Sequence, residues 1–232
     1  MAVFMDFNIS YTTDKKRLQS VIETAAHLGY STVAINYVVD LEQSKQEIGK
    51  PKCVSELFDT FPIVQGKSRP IKVLNRLTVV ASRAAHFKPL REYKAYDLVA
   101  AYPKTETLFH AACMEFTIDI ICVAATEKQP FFFKRSSVEG VRPLLSVYLN
   151  EEIPLELRGP YDIANLGLLF GLSEEEGKAA ISTNCRAVHL HGEMRKTALG
   201  IVHSMKNEQP LTERQEEEDV PASKRAKIEM AQ

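Results

Sequence analysis

The stretch VFMDFNISYTTDKKRLQSVIETAAHLGYSTVAINYVV, residues 3–39, decides the fold. Val3 to Ile9 is a short apolar run with β-branched and aromatic residues, the composition of a buried strand. Asp14 or Thr13 can cap a following helix in which Leu18, Val21, Ile22, Ala25 and Leu28 recur at helical spacing, and Gly29 ends it. Ser31 to Val39 then makes a second strand. A helix joining two strands this close together forces them to run parallel, with a right-handed crossover.

The same alternation continues downstream. Asp40 to Phe61 reads as a polar helix followed by a short helix around Val54 to Phe58. Ile71 to Val80 is a long strand preceded by a basic loop, and Arg83 to Tyr96 is irregular and basic. Tyr96 to Pro103 is a strand, Thr105 to Phe116 a helix, Ile118 to Thr126 a strand, and Leu144 to Leu149 a further possible strand. Strands this continuously apolar belong to a parallel sheet covered on both faces. A closed or nearly closed barrel is expected, with an open doubly wound sheet as the alternative. Between Glu127 and Asn150 a barrel should hold more helix than the sequence offers.

Residues 155–197 carry one boundary signal after another. Pro160 suits a first helical position. Leu166, Leu169 and Phe170 form an apolar stripe, and Gly171 can close the helix in a left-handed cap. Ser173 and Glu176 make a capping box, with three glutamates at the positive end of that helix. A third helix starts near Ser182 to Asn184 and is expected to turn Cys185, Val188 and Leu190 inward. That leaves Arg186, His189, His191, Arg195 and Lys196 for a partner.

With 45% hydrophobic and 25% charged residues, the 232-residue chain can build a sizeable core. No apolar run approaches the roughly 18 residues of a membrane helix, and the first residues lack a secretory pattern, so a soluble intracellular protein is expected. Cys53, Cys113, Cys122 and Cys185 are too scattered for a zinc set and read as reduced thiols. The net charge of −1 averages two unlike parts: Lys206 to Gln232 holds 5 basic and 7 acidic residues, leaving 24 and 23 in the body. Contact with a polyanion must therefore come from local clusters. The domain is placed at residues 1–205 and a disordered charged tail at 206–232, in which Lys224, Arg225 and Lys227 form a short basic cluster of the nuclear-import kind.

Several stretches then resemble one family: TAAHLGYSTVAIN (24–36), FPIVQGKSRPIKVL (61–74), YDLVAAYPKTETLFH (96–110), PFFFKR (130–135) and, above all, residues 155–200. Together they are similar to the thirty-kilodalton protein subunit of ribonuclease P. The resemblance implies an α/β fold, a TIM-like (β/α) barrel of the PHP-phosphoesterase-like type. It further implies a nuclear and nucleolar ribonucleoprotein subunit that supports 5′ maturation of precursor tRNA, and ribosomal RNA processing in ribonuclease MRP. Catalysis would rest with the RNA, and the partners would be that RNA, precursor tRNA and other protein subunits, among them a small RRM-like one. No cofactor, metal or membrane is implied. The chain departs from the family pattern between PFFFKR and LRGPYD, where a segment worth about one βα unit is missing, so a shortened barrel is expected.

Phosphoesterases of that fold carry an HxH pair at the end of the first strand, where this chain has Asp6, Phe7 and Asn8. His189 and His191, two residues apart on a helix, do not share a face. The competing readings are a metal-dependent phosphoesterase and a shortened chain that fails to assemble. For RNA the candidates are Lys67, Arg69, Lys72, Arg76, Lys104, Arg158, Arg186, Arg195 and Lys196, cations able to contact phosphates without reading sequence.

Overall fold

The computed structural model describes residues 3–41, 48–87, 91–115, 117–124, 144–148, 157–169 and 171–197. They all fall in one compact unit, Met1–Gly200. Six strands, β1 (Phe4–Ser10), β2 (Tyr30–Asp40), β3 (Lys72–Ala81), β4 (Leu98–Pro103), β5 (Ile120–Ala124) and β6 (Leu144–Tyr148), form one sheet in the order β1-β2-β3-β4-β5-β6. Every pairing is parallel. An order that never reverses is the winding of a (β/α) barrel, and it overturns the doubly wound alternative, whose strand order must reverse at a switch point. The barrel is shortened, and among the described residues β1 and β6 do not pair.

Helix α1 (Lys15–His27) forms as its spacing predicts. The Asp14 carboxylate accepts the Lys16 and Arg17 amides at 3.0 and 3.2 Å. Leu18, Val21, Ile22, Ala25 and Ala26 are buried against Ile9, Val33 and Ile35 on the outer sheet face. Each of the larger side chains stabilises by about 1.5–3 kcal/mol. Gly29, at φ 92°, turns the chain from helix to strand in a backbone region that would strain any residue with a Cβ.

Helices α2 (Val54–Leu57) and α3 (Glu106–Met114) follow, with two short 3₁₀ segments, Ala84–Phe87 and Arg91–Ala95. The polar helix expected from Asp40 is not found in the described part of that stretch. Asp40 closes β2, residues 48–53 are not helical, and 42–47 lie outside the described residues. α3 and the loop before β4 pack on the outer face of β3–β5 through Leu77, Val79, Phe87, Val99 and Phe109.

The inner face is covered from one end. α4 (Pro160–Leu169) ends in a Schellman motif: the Gly171 amide donates to Leu168 O and the Leu172 amide to Gly167 O, with Gly171 at φ 84°. α5 (Glu174–Ala180) opens with the expected capping box between Ser173 and Glu176. α6 (Thr183–Lys196) then lays Cys185 and Val188 over Met5, Leu74, Leu98 and Ile120. The Met5 amide donates to Ile181 O at 2.9 Å, so the chain entering α6 satisfies part of the β1 edge.

Two burial expectations fail here. Leu169 is exposed, as are Leu168 and Leu172, because α4 meets α5 through the small residues Ala164 and Gly177 rather than through its leucines. Leu190 is also exposed, because the face of α6 on the sheet runs through Cys185, Val188, Gly192 and Arg195.

Candidate functional site

In a barrel the inner face and the two strand rims are where chemistry collects. On the inner face one polar chain crosses four strands. Asn36 donates to Asn8 Oδ1 at 3.1 Å, and Thr78 donates to Asn36 Oδ1 at 2.6 Å. Arg76 lies within the same chain and donates to Thr78 Oγ1, Phe7 O and Cys122 Sγ at 3.2, 2.7 and 2.8 Å. Its residue is 1% exposed. Burial raises the Cys122 thiol pKa, with the guanidinium opposing. Arg76 is therefore corrected from a surface RNA contact to a structural pin: β3 is buried on both faces, so an arginine midway along it has to lie inside.

The positions where a phosphoesterase would place its histidine pair serve the fold. Asp6 Oδ1 accepts the Asn8 amide at 2.9 Å, and Asn8 belongs to the polar chain just described. Among the described residues no three His, Cys, Asp or Glu side chains are grouped to hold a metal.

At the N-terminal rim two aspartates repeat one device. Asp97 Oδ2 accepts the Asn75 amide and Asp119 Oδ2 accepts the Val99 amide, each at 2.7 Å, tying the start of one strand to its neighbour. Both are then claimed by α6. Lys196 pairs with Asp97. Arg195 donates to Asp119 Oδ2 and also to the carbonyls of Tyr93, Tyr96 and Asp97, while His191 Nδ1 lies 2.5 Å from Asp119 Oδ1. Arg195 and His191 are thus corrected from partner contacts to anchors of α6, and Lys196 has an ion pair within the fold. Sequence reasoning missed Asp97 and Asp119; the signal was an aspartate placed one residue before each of two strands.

Lys72, half-exposed, donates to His189 Nε2 at 2.9 Å, with Glu193 at 3.9 Å. An ammonium can only donate, so this nitrogen accepts and the imidazole is neutral. Burial first, and Lys72 second, lower the His189 pKa accordingly. Lys104 pairs with Asp40 at 3.4 Å on the opposite, C-terminal rim. Lys67 is partly buried, its ammonium without a hydrogen-bond partner among the described residues. Burial lowers its pKa, and the nearby Arg69 lowers it further. Arg69, Arg158 and Arg186 are exposed. The loop bearing Lys67 and Arg69 runs into β3, and Arg158 O accepts the hydroxyl of Tyr30, the first residue of β2. Lys67, Arg69, Lys72 and Arg158 therefore share the N-terminal rim.

A sequence model of the family described as RNase P subunit p30 matches residues 3–142 and 151–197. The chain belongs to that family. It is 48% identical to the mouse ribonuclease P protein subunit p30 over 269 aligned residues, covering 99% of this chain and 100% of the relative. The alignment is longer than the 232-residue chain, so the mouse relative carries residues with no counterpart here. A probable ribonuclease P protein subunit 3 of Schizosaccharomyces pombe is 24% identical, covering 84% of this chain and 95% of that one. A chain in a cryo-EM structure of archaeal ribonuclease P with mature tRNA shares the fold, with a TM-score of 0.56 at 11% identity over 88% of this chain and 99% of that chain.

Proposed function

We propose that this chain is a non-catalytic protein subunit of a nuclear ribonuclease P ribonucleoprotein, supporting 5′ maturation of precursor tRNA and, in ribonuclease MRP, ribosomal RNA processing. The single observation that carries the reading is the 48% identity with a named ribonuclease P subunit along the whole of both chains. The inner face supports it, since the residues at the phosphoesterase positions are occupied in hydrogen bonds within the sheet. Exposed cations on the N-terminal rim, Arg69 and Arg158 with Lys72 and Lys67 beside them, form a phosphate-facing surface; Arg186 extends it onto α6. Other protein subunits, including a small RRM-like one, complete the assembly. Lys224, Arg225 and Lys227, outside the described residues, direct nuclear and nucleolar import.

The test is affinity purification of the tagged chain from nuclear extract, followed by RNA probing and mass spectrometry. Recovery of ribonuclease P RNA with its protein subunits is expected. A folded chain that comes down alone would overturn the role and leave the shortened barrel unable to assemble.

A further inference from the structure

The C-terminal rim, opposite the cationic surface just proposed, carries an open cleft of about 120 Å³ lined by Ser10, Tyr11, Thr12, Arg17, Leu18 and Val21. It lies where β1 ends and α1 begins, the end of the strands at which barrels place their ligands. Its chemistry is mixed: a guanidinium, two aliphatic hydroxyls, an aromatic ring, and Leu18 and Val21 supplying apolar surface. Tyr11 is braced there by other rings. It stacks on Tyr37 with ring centroids 4.4 Å apart and planes 25° apart, and Tyr37 is in turn braced edge-on by Tyr96 at 5.8 Å. Burial pushes the Tyr37 phenol up to about 12, with Tyr11 adding to the rise, so this phenol stays neutral at physiological pH. The exposed Lys52 brings its ammonium 5.7 Å from the centre of the Tyr11 ring.

We infer that this cleft takes one unpaired ribonucleotide of a single-stranded RNA segment. The base takes the Tyr11 face away from Tyr37, displacing the Lys52 ammonium, which turns with Arg17 to the phosphate, and the ribose hydroxyls meet Ser10 and Thr12. The inference rests on the RNA-associated role proposed above and adds a second contact at the other rim. Three features select this ligand. A braced aromatic ring with cations beside it is how proteins hold single strands without sequence readout. The volume is near the ~150 Å³ of a cavity that holds one benzene ring, so it suits one flat ring and not a helix. The hydroxyl pair fits a ribose, whose 2′-hydroxyl both donates and accepts.

The experiment measures binding of a short single-stranded oligoadenylate, and of a duplex of equal length, to the full chain. Tyr11→Leu is expected to lose about tenfold in affinity for the single strand, the effect of removing one stacking ring. Tyr11→Phe should keep it, and ultraviolet cross-linking should yield the peptide containing Tyr11. An unchanged affinity in a Tyr11→Leu chain that melts like the parent, with cross-links elsewhere, overturns the site. Should Tyr11→Leu fail to fold, the double variant Lys52→Gln with Arg17→Gln replaces it: several-fold weaker binding with a shallower salt dependence is expected, and parental binding overturns the site. Tagged variants distinguish the two readings. A chain that co-purifies with ribonuclease P RNA but shows no Tyr11-dependent binding sinks this inference alone, whereas failure of the unmodified chain to co-purify sinks the role.

Discussion

Arg195 on α6 and Asp119 before β5 meet inside the protein, with Nε at 3.2 Å and Nη2 at 3.1 Å from a carboxylate whose side chain is wholly buried. Because the same oxygen accepts the Val99 amide, one aspartate joins two strands and a helix. Arg195→Ala would leave that carboxylate buried without its guanidinium, with the His191 ring as its remaining neighbour on α6. A loss of about 3–5 kcal/mol in unfolding free energy is expected. Chemical denaturation would measure it. A loss under about 1 kcal/mol would mean that the pair is screened by solvent.

The glycines of the last helices separate two sizes of clash. A Cβ on Gly192 would lie 2.3 Å from Asp97 O, held by the Asn75 ladder, and one on Gly177 would lie 2.8 Å from Ala164 O; both neighbours are main chain, and the first approach is the closer by half an ångström. Alanine gains about 1 kcal/mol of helix propensity at either site. Gly192→Ala should still destabilise by about 2–3 kcal/mol, because overpacking against fixed backbone exceeds that gain. Gly177→Ala meets main chain too, but at a longer distance, and should destabilise less, by about 1 kcal/mol. Thermal melts of the two variants would show the order, and equal melting temperatures would contradict it.

Much of this was legible in the residues. Caps, glycine turns and the alternation of strand and helix are local signals, so Asp14, Gly29, Gly171 and the Ser173–Glu176 box were found where they stand. The functions of Arg76 and Arg195 were not, since charge alone suggests surface. Their positions held the correction. Arg76 lies two residues from Leu74 and from Thr78 in a strand buried on both faces, and Arg195 shares a helical face with Cys185, Val188 and Gly192. Their partners, Cys122, Phe7 O and Asp119, lie 46, 69 and 76 residues away in sequence, so only the fold could reveal them. The Tyr11, Tyr37 and Lys52 grouping depends on strand register in the same way.

Charge reversal should therefore divide the basic loop from the strand that follows it. Lys67→Glu with Arg69→Glu is expected to leave the melting temperature near the parent's, weaken RNA association and reduce the salt slope by about 2, one unit per lost phosphate contact. Arg76→Glu should instead give an unfolded or aggregated chain, since it puts a carboxylate among groups arranged for a cation. A folded Arg76→Glu chain whose only defect is RNA binding would restore that residue to the interface. A double reversal with an unchanged salt slope would remove the loop from it.

Alkaline pH should weaken the fold through groups kept neutral by burial. The Cys185 thiol is pushed from an ordinary 9.0 to about 12, by burial and then by Asp6, and the Tyr93 phenol is pushed from 10.0 to about 12, by burial and then by Glu92. Burial raises Cys122 in the same direction. Well below pH 9 both the folded and the unfolded chain hold these protons, so stability is flat with respect to them. Above it the unfolded chain releases them while the folded chain keeps them, and stability falls through the window up to about 12. Each group contributes a slope of at most about 1.4 kcal/mol per pH unit. Denaturant midpoints should accordingly hold steady well below pH 9 and decline as pH rises through it. Cys185→Ala, although less stable at neutral pH because it leaves a small void, should decline less steeply because one such proton is gone. An alanine variant whose alkaline slope matches the parent's would show that Cys185 ionises in the folded protein as it does in the open chain.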